Sequence, residues 1–322
     1  MNEKPRSVAE LAREYLQIVT PGDRQSAKSL PVADRLIQAQ TLAEEGKKRL
    51  LIGQEEEPGL RLPWDELNDR VRLAPGKLAI WTGYMHHGKS QMLKQVMLAA
   101  MQQSERVVMA SMEEEPVELW CDMARMACGT QEPSVSQLSE WVTFCHRLWI
   151  YDEQGQAKTL QLKDAIRYAA RDLKITHFVI DSLMTIDIDK DDYNAQTRFA
   201  RELKAIAKDE RITIHLVAHM RKREGRNGDE SAGNVQDIAG AHEIGSLADY
   251  VFTVWRDKRE PQDRPPGAKD AILKIEKQRG RFNWIGQFSL NYHHKSRQYV
   301  RVMEAMKFWD DSREPGEDMV EL

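Results

Sequence analysis

The chain has 322 residues and a formal net charge of −4, with 30% charged and 41% hydrophobic residues. These values suit one large globular domain with a small appendage, and they exclude a generally basic, histone-like nucleic-acid binder. Because the sequence contains neither a long apolar run nor an apolar signal core, we expect no membrane span and a cytoplasmic location. The three cysteines, Cys121, Cys128 and Cys145, lack metal-ligand spacing and are expected to be buried thiols.

The beginning of the chain predicts a helical segment and a linker over residues 1–59. Apolar residues at mixed three- and four-residue steps favour an amphipathic helix over 32–52. The acidic run over 54–59, which contains Pro and Gly, is interpreted as the linker. We therefore expect the main domain over 60–306 and an acidic, solvated tail over 307–322.

Strand and helix patterns alternate after the linker, which predicts an α/β fold with a mostly parallel sheet and helices on both faces. The last three strands have no helix between them and are expected to form an antiparallel C-terminal extension. The predicted strands are 78–82, 107–112, 148–151, 177–180, 212–218, 250–255, 271–276, 285–290 and 298–302. The predicted helices are 91–101, 117–126, 160–173 and 193–208.

The strongest motif is the segment 83–90, which fits the phosphate-loop pattern G-x-x-x-x-G-K-[ST] between a strand and a helix. Gly83 and Gly88 would let backbone N–H groups form a concave nest for phosphate oxygens, at a helix N-terminus that favours anions. Lys89 would neutralise the β and γ phosphates, and Ser90 would ligate Mg²⁺.

Acidic residues follow two of the predicted strands. Asp181 ends an apolar strand and is expected to reach the Mg²⁺ shell. Glu113 comes first after another strand and is the preferred group for orienting the attacking water. Glu114 and Glu115 are interpreted as an acidic helix start.

Four histidines lie near these motifs. His219 is placed at the carboxyl end of a strand, where a γ-phosphate sensor would lie. His215, inside the same apolar strand, is interpreted as structural. His86 and His87 are interpreted as ordinary loop residues.

Basic residues mark two further segments. The loop after His219 carries four bases and is expected to clamp a nucleic-acid backbone rather than to be a merely solvated loop; they are Arg221, Lys222, Arg223 and Arg226. Lys277 and Arg279 follow a strand far along the chain. They fit either an arginine finger or the charged tip of a hairpin, and their spacing does not choose between the two.

In this order, the motifs over residues 60–303 resemble the helicase domain of replicative ring helicases, which include the DnaB-type enzymes, the phage primase-helicases and Twinkle. The resemblance implies a RecA-like core that uses ATP and Mg²⁺. It also implies roles for Lys89 as the phosphate-loop lysine, Glu113 as the catalytic carboxylate and Asp181 as the metal-shell residue. Lys277 and Arg279 would then reach the ATP site of a neighbouring subunit.

The same resemblance implies a hexameric ring that moves 5′→3′ on single-stranded DNA and unwinds forked DNA, in a bacterial or phage-infected cell. The helix over 32–52 would contact the next subunit, or it would cap its own domain. A separate primase or loader is expected, since residues 1–59 are too short for a primase domain. The segment 239–246 lacks an Arg and a Gln common in the family, which favours an alternative: a DNA-dependent ATPase that acts as a recombination mediator or regulator without unwinding.

Overall fold

The structure, a computed structural model, describes residues 38–51, 58–220, 242–265 and 267–309. The chain divides into two compact units, Met1–Glu56 and Glu57–Leu322. In the first unit, a 3₁₀ turn over Ala39–Leu42 leads into helix α1, Ala43–Leu51. An α-helix thus covers the later part of the predicted segment 32–52, and most of the predicted linker lies outside the described residues.

Nine strands form one sheet in the second unit. In chain order they are β1 (Leu78–Gly83), β2 (Val107–Ser111), β3 (Leu148–Ile150), β4 (His177–Asp181), β5 (Thr213–His219), β6 (Tyr250–Arg256), β7 (Ala271–Gln278), β8 (Gly286–His293) and β9 (Gln298–Val300). Their order across the sheet is β3-β2-β4-β5-β1-β6-β7-β8-β9. The pairs from β3 to β6 are parallel and those from β6 to β9 are antiparallel, which confirms the predicted fold class.

The helices of this unit include all four predicted from the sequence. They are α2 (Lys89–Gln102), α3 (Pro116–Cys128), α4 (Val135–Phe144), α5 (Thr159–Arg171), α6 (Tyr193–Glu210) and α7 (His242–Leu247). The sequence analysis missed α4 and α7. The first exposes Val135 and Val142, which obscures an apolar stripe, and the second is a short helix that contains a glycine.

The two faces of the sheet are covered by different helices. Side chains alternate along a strand, so Ala79 and Trp81 of β1 point to one face while Leu78 and Ile80 point to the other. The first pair belongs to a core shared with α2, α3 and α4. The second pair belongs to a core shared with α5, α6 and α7. Both faces of the parallel strands are therefore dry, as continuous apolar strands require.

The antiparallel extension reverses the chain direction at one side of the sheet. In the β6–β7 ladder, Tyr250 at the start of β6 pairs with Gln278 at the end of β7. The end of β7 therefore lies at the edge formed by the amino ends of the parallel strands. Each helix within the described ranges is too short or too polar to cross a bilayer.

Candidate nucleotide site

Four parallel strands deliver their last residues to the same edge of the sheet. In the β1–β5 ladder Gly83 is paired with His219, and in the β2–β4 ladder Ser111 is paired with Asp181. Because β2, β4, β5 and β1 are neighbours in that order, the loops that follow them meet at one place. The crevice outside the carboxyl ends of parallel strands is where α/β proteins bind ligands.

The loop after β1 has a backbone that only glycine can form at two positions. Gly83 and Gly88 have φ angles of 149° and 82°, where a side chain is strained. A Cβ on Gly83 would collide with the Val254 carbonyl oxygen, and one on Gly88 with the Tyr299 hydroxyl. Gly88 also caps α2 without a side-chain hydrogen bond. The first N–H groups of this long helix therefore remain available to an anion.

Lys89 begins α2 and is buried, with 4% of its surface exposed. Its Nζ donates a 2.9 Å hydrogen bond to the carbonyl oxygen of Tyr84 in the same loop. Burial lowers the pKa of the Lys89 ammonium to about 8, while the charges of Asp181 and Glu113 oppose that shift. The ammonium is thus a buried cation near two carboxylates that favour its charged form, and a phosphate would meet it already desolvated.

Ser90 and Asp181 are the candidate metal ligands, and the structure brings them together. The Ser90 side chain lies close enough to the partly buried Asp181 carboxyl to act on its pKa. Burial raises the pKa of Asp181 to about 6, and Ser90 opposes the shift. A hydroxyl and a carboxylate side by side suit Mg²⁺, which takes few protein oxygens and completes its shell with phosphate and water. No cluster of three His, Cys, Asp or Glu side chains that could hold a metal occurs in the described part of the chain.

The three glutamates after β2 have different surroundings. The Glu113 side chain is exposed, and its charge acts on both Lys89 and Asp181. Glu114 is instead bound by the buried Lys94, whose Nζ lies 2.9 and 2.7 Å from the two carboxylate oxygens. Glu115 precedes α3 as its N-terminal cap residue. Of the two acidic residues nearest the strand, Glu113 is therefore the one whose carboxylate is exposed and is not held by Lys94.

His219 lies beside Lys89 at the end of β5. Its Nδ1 is buried and has no hydrogen-bond partner within the described ranges. Burial lowers the pKa of His219 to about 4, and the charge of Lys89 contributes to the shift. The imidazole is therefore neutral at pH 7, with a ring nitrogen that can bond to a ligand.

The other histidines near the motifs have structural contacts. His86 is exposed, as expected of a loop residue. His87 is instead buried, and its Nδ1 accepts a 3.1 Å hydrogen bond from the backbone N–H of Arg256. The structural interpretation of His215 is confirmed, because its Nδ1 accepts from Trp81 Nε1 at 3.1 Å and its Nε2 lies 3.0 Å from His177 Nδ1.

Lys277 and Arg279 lie at the other edge of the sheet, with the amino ends of the parallel strands. Lys277 Nζ donates to the carbonyl oxygens of Gly245 and Ser246, at 2.8 and 2.7 Å. Arg279 is exposed and donates a 3.2 Å hydrogen bond to Ser246. Burial lowers the pKa of Lys277 to about 8, and the neighbouring Arg279 contributes. Neither side chain meets the phosphate loop of its own chain.

The predicted DNA-binding residues Arg221, Lys222, Arg223 and Arg226 lie outside the described residues, as does most of the segment 239–246. Two supporting residues were missed in the sequence. Lys94 follows the phosphate loop by little more than one helical turn. The available signal was a lysine among the apolar residues of the predicted helix. Tyr299 donates a 3.2 Å hydrogen bond to the Gly88 carbonyl oxygen, and no local pattern announces it.

A phosphate loop after a central parallel strand, with acidic and histidine residues at the adjacent strand ends, defines a P-loop nucleotide-binding domain of RecA-like fold. Residues 59–301 match the family model of the DnaB-like helicase C-terminal domain, and the chain belongs to this family. No curated protein sequence matches the chain.

Two solved structures support the fold. One, described as an ATPase domain, aligns with a TM-score of 0.68 and 14% identity, covering 85% of this chain and 100% of that one. A DnaB-like replicative helicase, described with its interactions with primase, aligns with a TM-score of 0.70 and 14% identity, covering 91% and 74% of the two chains. Identities this low establish the shared fold and no more.

Proposed function

We propose that this chain is the motor of an ATP-dependent replicative DNA helicase, a hexameric ring that translocates 5′→3′ on single-stranded DNA and unwinds the duplex. The observation that carries the proposal is the division of charged groups between two edges of one sheet. A phosphate loop with its carboxylates occupies the first edge, and Lys277 and Arg279 occupy the second. A ring in which each subunit completes its neighbour's site accounts for both.

The phosphate loop would hold ATP. The backbone N–H groups between Gly83 and Gly88, together with the start of α2, point to where phosphate oxygens would lie. Lys89 would exchange its hydrogen bond to the Tyr84 carbonyl for the β and γ phosphates. Its pKa of about 8 would rise next to that negative charge, which favours the cationic form.

The strand ends beside the loop would carry out hydrolysis. Ser90 and Asp181 would hold Mg²⁺, which supplies charge neutralisation on the phosphates when bound. Glu113 would accept a proton from the attacking water, because its carboxylate is exposed and close enough to Lys89 for their charges to interact. Neutral His219 would donate or accept a hydrogen bond at the γ-phosphate and so report its loss.

Lys277 and Arg279 would act on the site of the adjacent subunit. Arg279 is exposed at the sheet edge far from its own phosphate loop, and a guanidinium offered in trans stabilises the charge that develops on a transferred phosphoryl group. The exposed Leu50 and Leu51 of α1 support a further subunit contact through this helix.

DNA would bind through the loop that follows His219. A basic run directly follows the proposed phosphate sensor in the sequence and would couple DNA binding to ATP hydrolysis. It consists of Arg221, Lys222, Arg223 and Arg226. A separate primase or loader is a further proposed partner, given that one structural relative is described with primase.

Strand displacement on forked DNA with ATP and Mg²⁺ tests the proposal. Three forks are compared: one with only a 5′ tail, one with only a 3′ tail and one with both. Unwinding that requires the 5′ tail supports the helicase and its direction. DNA-stimulated ATP hydrolysis with no displacement on any fork favours the mediator or regulator instead.

A further inference from the structure

The short connection between β2 and α3 holds Glu113 between two fixed neighbours. Before it, Met112 is buried, and its N–H donates a 3.3 Å hydrogen bond to the Asp181 carbonyl oxygen. Its own carbonyl oxygen accepts from the Gly155 N–H at 3.0 Å. After it, the carbonyl oxygen of Glu114 accepts a 3.1 Å hydrogen bond from Gln154 Nε2. The backbone on both sides of Glu113 is therefore tied to the sheet and to the loop after β3.

The side chain of Glu114 adds the strongest of these ties. Lys94 is only 2% exposed at its side chain, and Glu114 is 34% exposed. A fully buried lysine is rare in proteins unless it is paired, and here both carboxylate oxygens of Glu114 lie within hydrogen-bonding distance of Nζ. Asp122 of α3 supplies a second carboxylate at 3.1 Å.

The ion network extends to the C-terminal hairpin. Asp122 is also paired with Arg297, which follows β8 and precedes β9. Arg125 of α3 lies 3.8 Å from the same carboxylate, so three cations and two carboxylates make up the network. The network holds its geometry because Lys94 is buried, and loss of its carboxylate partners would leave a desolvated charge behind.

The same helix carries both halves of the candidate site. Lys89 and Ser90 begin α2, and Lys94 follows on the side that faces the β2–α3 connection. A rigid α2 therefore sets the distance between the phosphate loop and Glu113. Lys94 on this helix also neutralises Glu114, which would otherwise add a second negative charge near the phosphate loop.

We propose that Lys94 and Glu114 are positioning residues, which fix the Glu113 carboxylate relative to the phosphate loop so that it can activate water. The inference rests on the proposed function, in which Glu113 is the catalytic carboxylate. It assigns Glu114 a role that requires no contact with nucleotide. Displacement of a catalytic group by about 1 Å can cost about 100-fold in rate, so a loosened connection should lower turnover more than ATP binding.

The test compares four full-length variants in steady-state ATP hydrolysis with single-stranded DNA. Glu114→Ala releases the tie, and we expect kcat to fall at least about tenfold while KM for ATP changes less than about twofold. Glu114→Gln keeps an oxygen that accepts from Lys94 and should recover most of the lost kcat. Glu115→Ala removes the adjacent exposed carboxylate and should behave as wild type. Glu113→Gln reports on the catalytic carboxylate itself.

Each other outcome points elsewhere. If Glu114→Ala matches Glu115→Ala while Glu113→Gln is inactive, the positioning role is overturned and the proposed function survives. If Glu114→Gln is as inactive as Glu113→Gln, Glu114 acts chemically and the inference is wrong. Normal turnover in Glu113→Gln would overturn the catalytic assignment and the inference with it. Thermal unfolding accompanies each assay, and Glu114→Met, which keeps the apolar stem, replaces the alanine variant if that variant does not fold.

Discussion

The two edges of the parallel sheet hold their charged groups in opposite ways. At the carboxyl edge, Lys89 is buried and Asp181 is partly buried, and burial shifts the pKa values of both. At the amino edge, Arg279 is exposed and bonded to the backbone of α7. The charged groups of the carboxyl edge are thus surrounded by their own chain, whereas the amino edge, which we call the outward edge, exposes a cation to solvent. We call the carboxyl edge the organised edge. Under the proposed function, the groups that bind ATP and the groups that complete a neighbour's site lie at opposite ends of the parallel strands.

Removing the cation of the carboxyl edge should affect nucleotide binding itself, and with it every later step. Lys89→Ala should weaken ATP binding by at least about 100-fold, because a desolvated, charge-assisted contact to phosphate is lost. Titration with a fluorescent ATP analogue measures the loss. Lys208→Ala, an exposed lysine on α6, is the control. Tight binding by Lys89→Ala would refute the phosphate-loop assignment.

Removing the exposed cation of the amino edge should leave ATP binding intact and lower ATP turnover. Arg279→Ala is expected to bind ATP normally and to hydrolyse it about 1000-fold more slowly, as for loss of an arginine finger. Arg281→Ala, in the same turn, is the matched control.

A mixing experiment shows whether Arg279 acts in trans. Arg279→Ala subunits are titrated into wild type, and activity should fall faster than dilution predicts, because each altered subunit disables a neighbour. A fall in proportion to dilution would show that the residue does not act on the adjacent site.

Within the organised edge, Glu113→Gln should distinguish chemistry from binding. We expect ATP affinity to be retained and hydrolysis to slow about 100-fold, the usual contribution of a general base. Single-turnover hydrolysis and equilibrium binding measure the two quantities. Near-normal turnover would assign the reaction to another carboxylate.

The smallest effect is expected on the stability of the fold. It arises between the two edges of the sheet, where His215 is hydrogen-bonded to both Trp81 and His177. An indole N–H only donates, so His215 Nδ1 accepts it and His215 Nε2 donates to His177 Nδ1, which leaves both rings neutral. Burial lowers the pKa of His177 to about 3 and that of His215 well below its usual range.

This pair should make the fold sensitive to acid. A histidine with a depressed pKa stays neutral in the folded protein, whereas the unfolded chain takes up a proton below about pH 6.5. Its contribution to stability is therefore complete above that pH and is lost as the pH falls towards 3. Each histidine should lower the free energy of unfolding by about 1.4 kcal/mol per pH unit in this window. Urea unfolding measured from about pH 7 to about pH 5 gives the free energy of unfolding at each pH. This free energy should fall less steeply with decreasing pH for His177→Phe than for wild type, and an equal dependence on pH would contradict the assignment.

Local sequence patterns allowed most residues of the carboxyl edge of the sheet to be predicted. The phosphate loop lies within eight consecutive positions between β1 and α2, so strand, loop and helix were all visible together. Asp181 and His219 were found because each ends an apolar strand. The capping pair Ser134 and Gln137 at the start of α4 was also present in the sequence and could have revealed that helix.

The supports of the site could not be predicted in this way, because they join distant segments. Trp81 and His215 are 134 residues apart, and Gln95 meets the backbone of Tyr299 across 204 residues. Such contacts depend on the strand order of the whole sheet. The buried network around Lys94 likewise needs α3 and the C-terminal hairpin to be in place before its charges are satisfied.

The hydrogen bond from Tyr299 to Gly88 spans 211 residues, and it therefore sets an order of events during synthesis. A ribosome releases the glycine-rich loop well before it releases β9, the strand that supports the loop. A nascent chain that has not yet reached β9 has the complete nucleotide motif but lacks the tyrosine against which its second glycine rests. Under the proposed function, we expect such a chain to bind ATP poorly, so that a competent nucleotide site forms only after β9 has emerged.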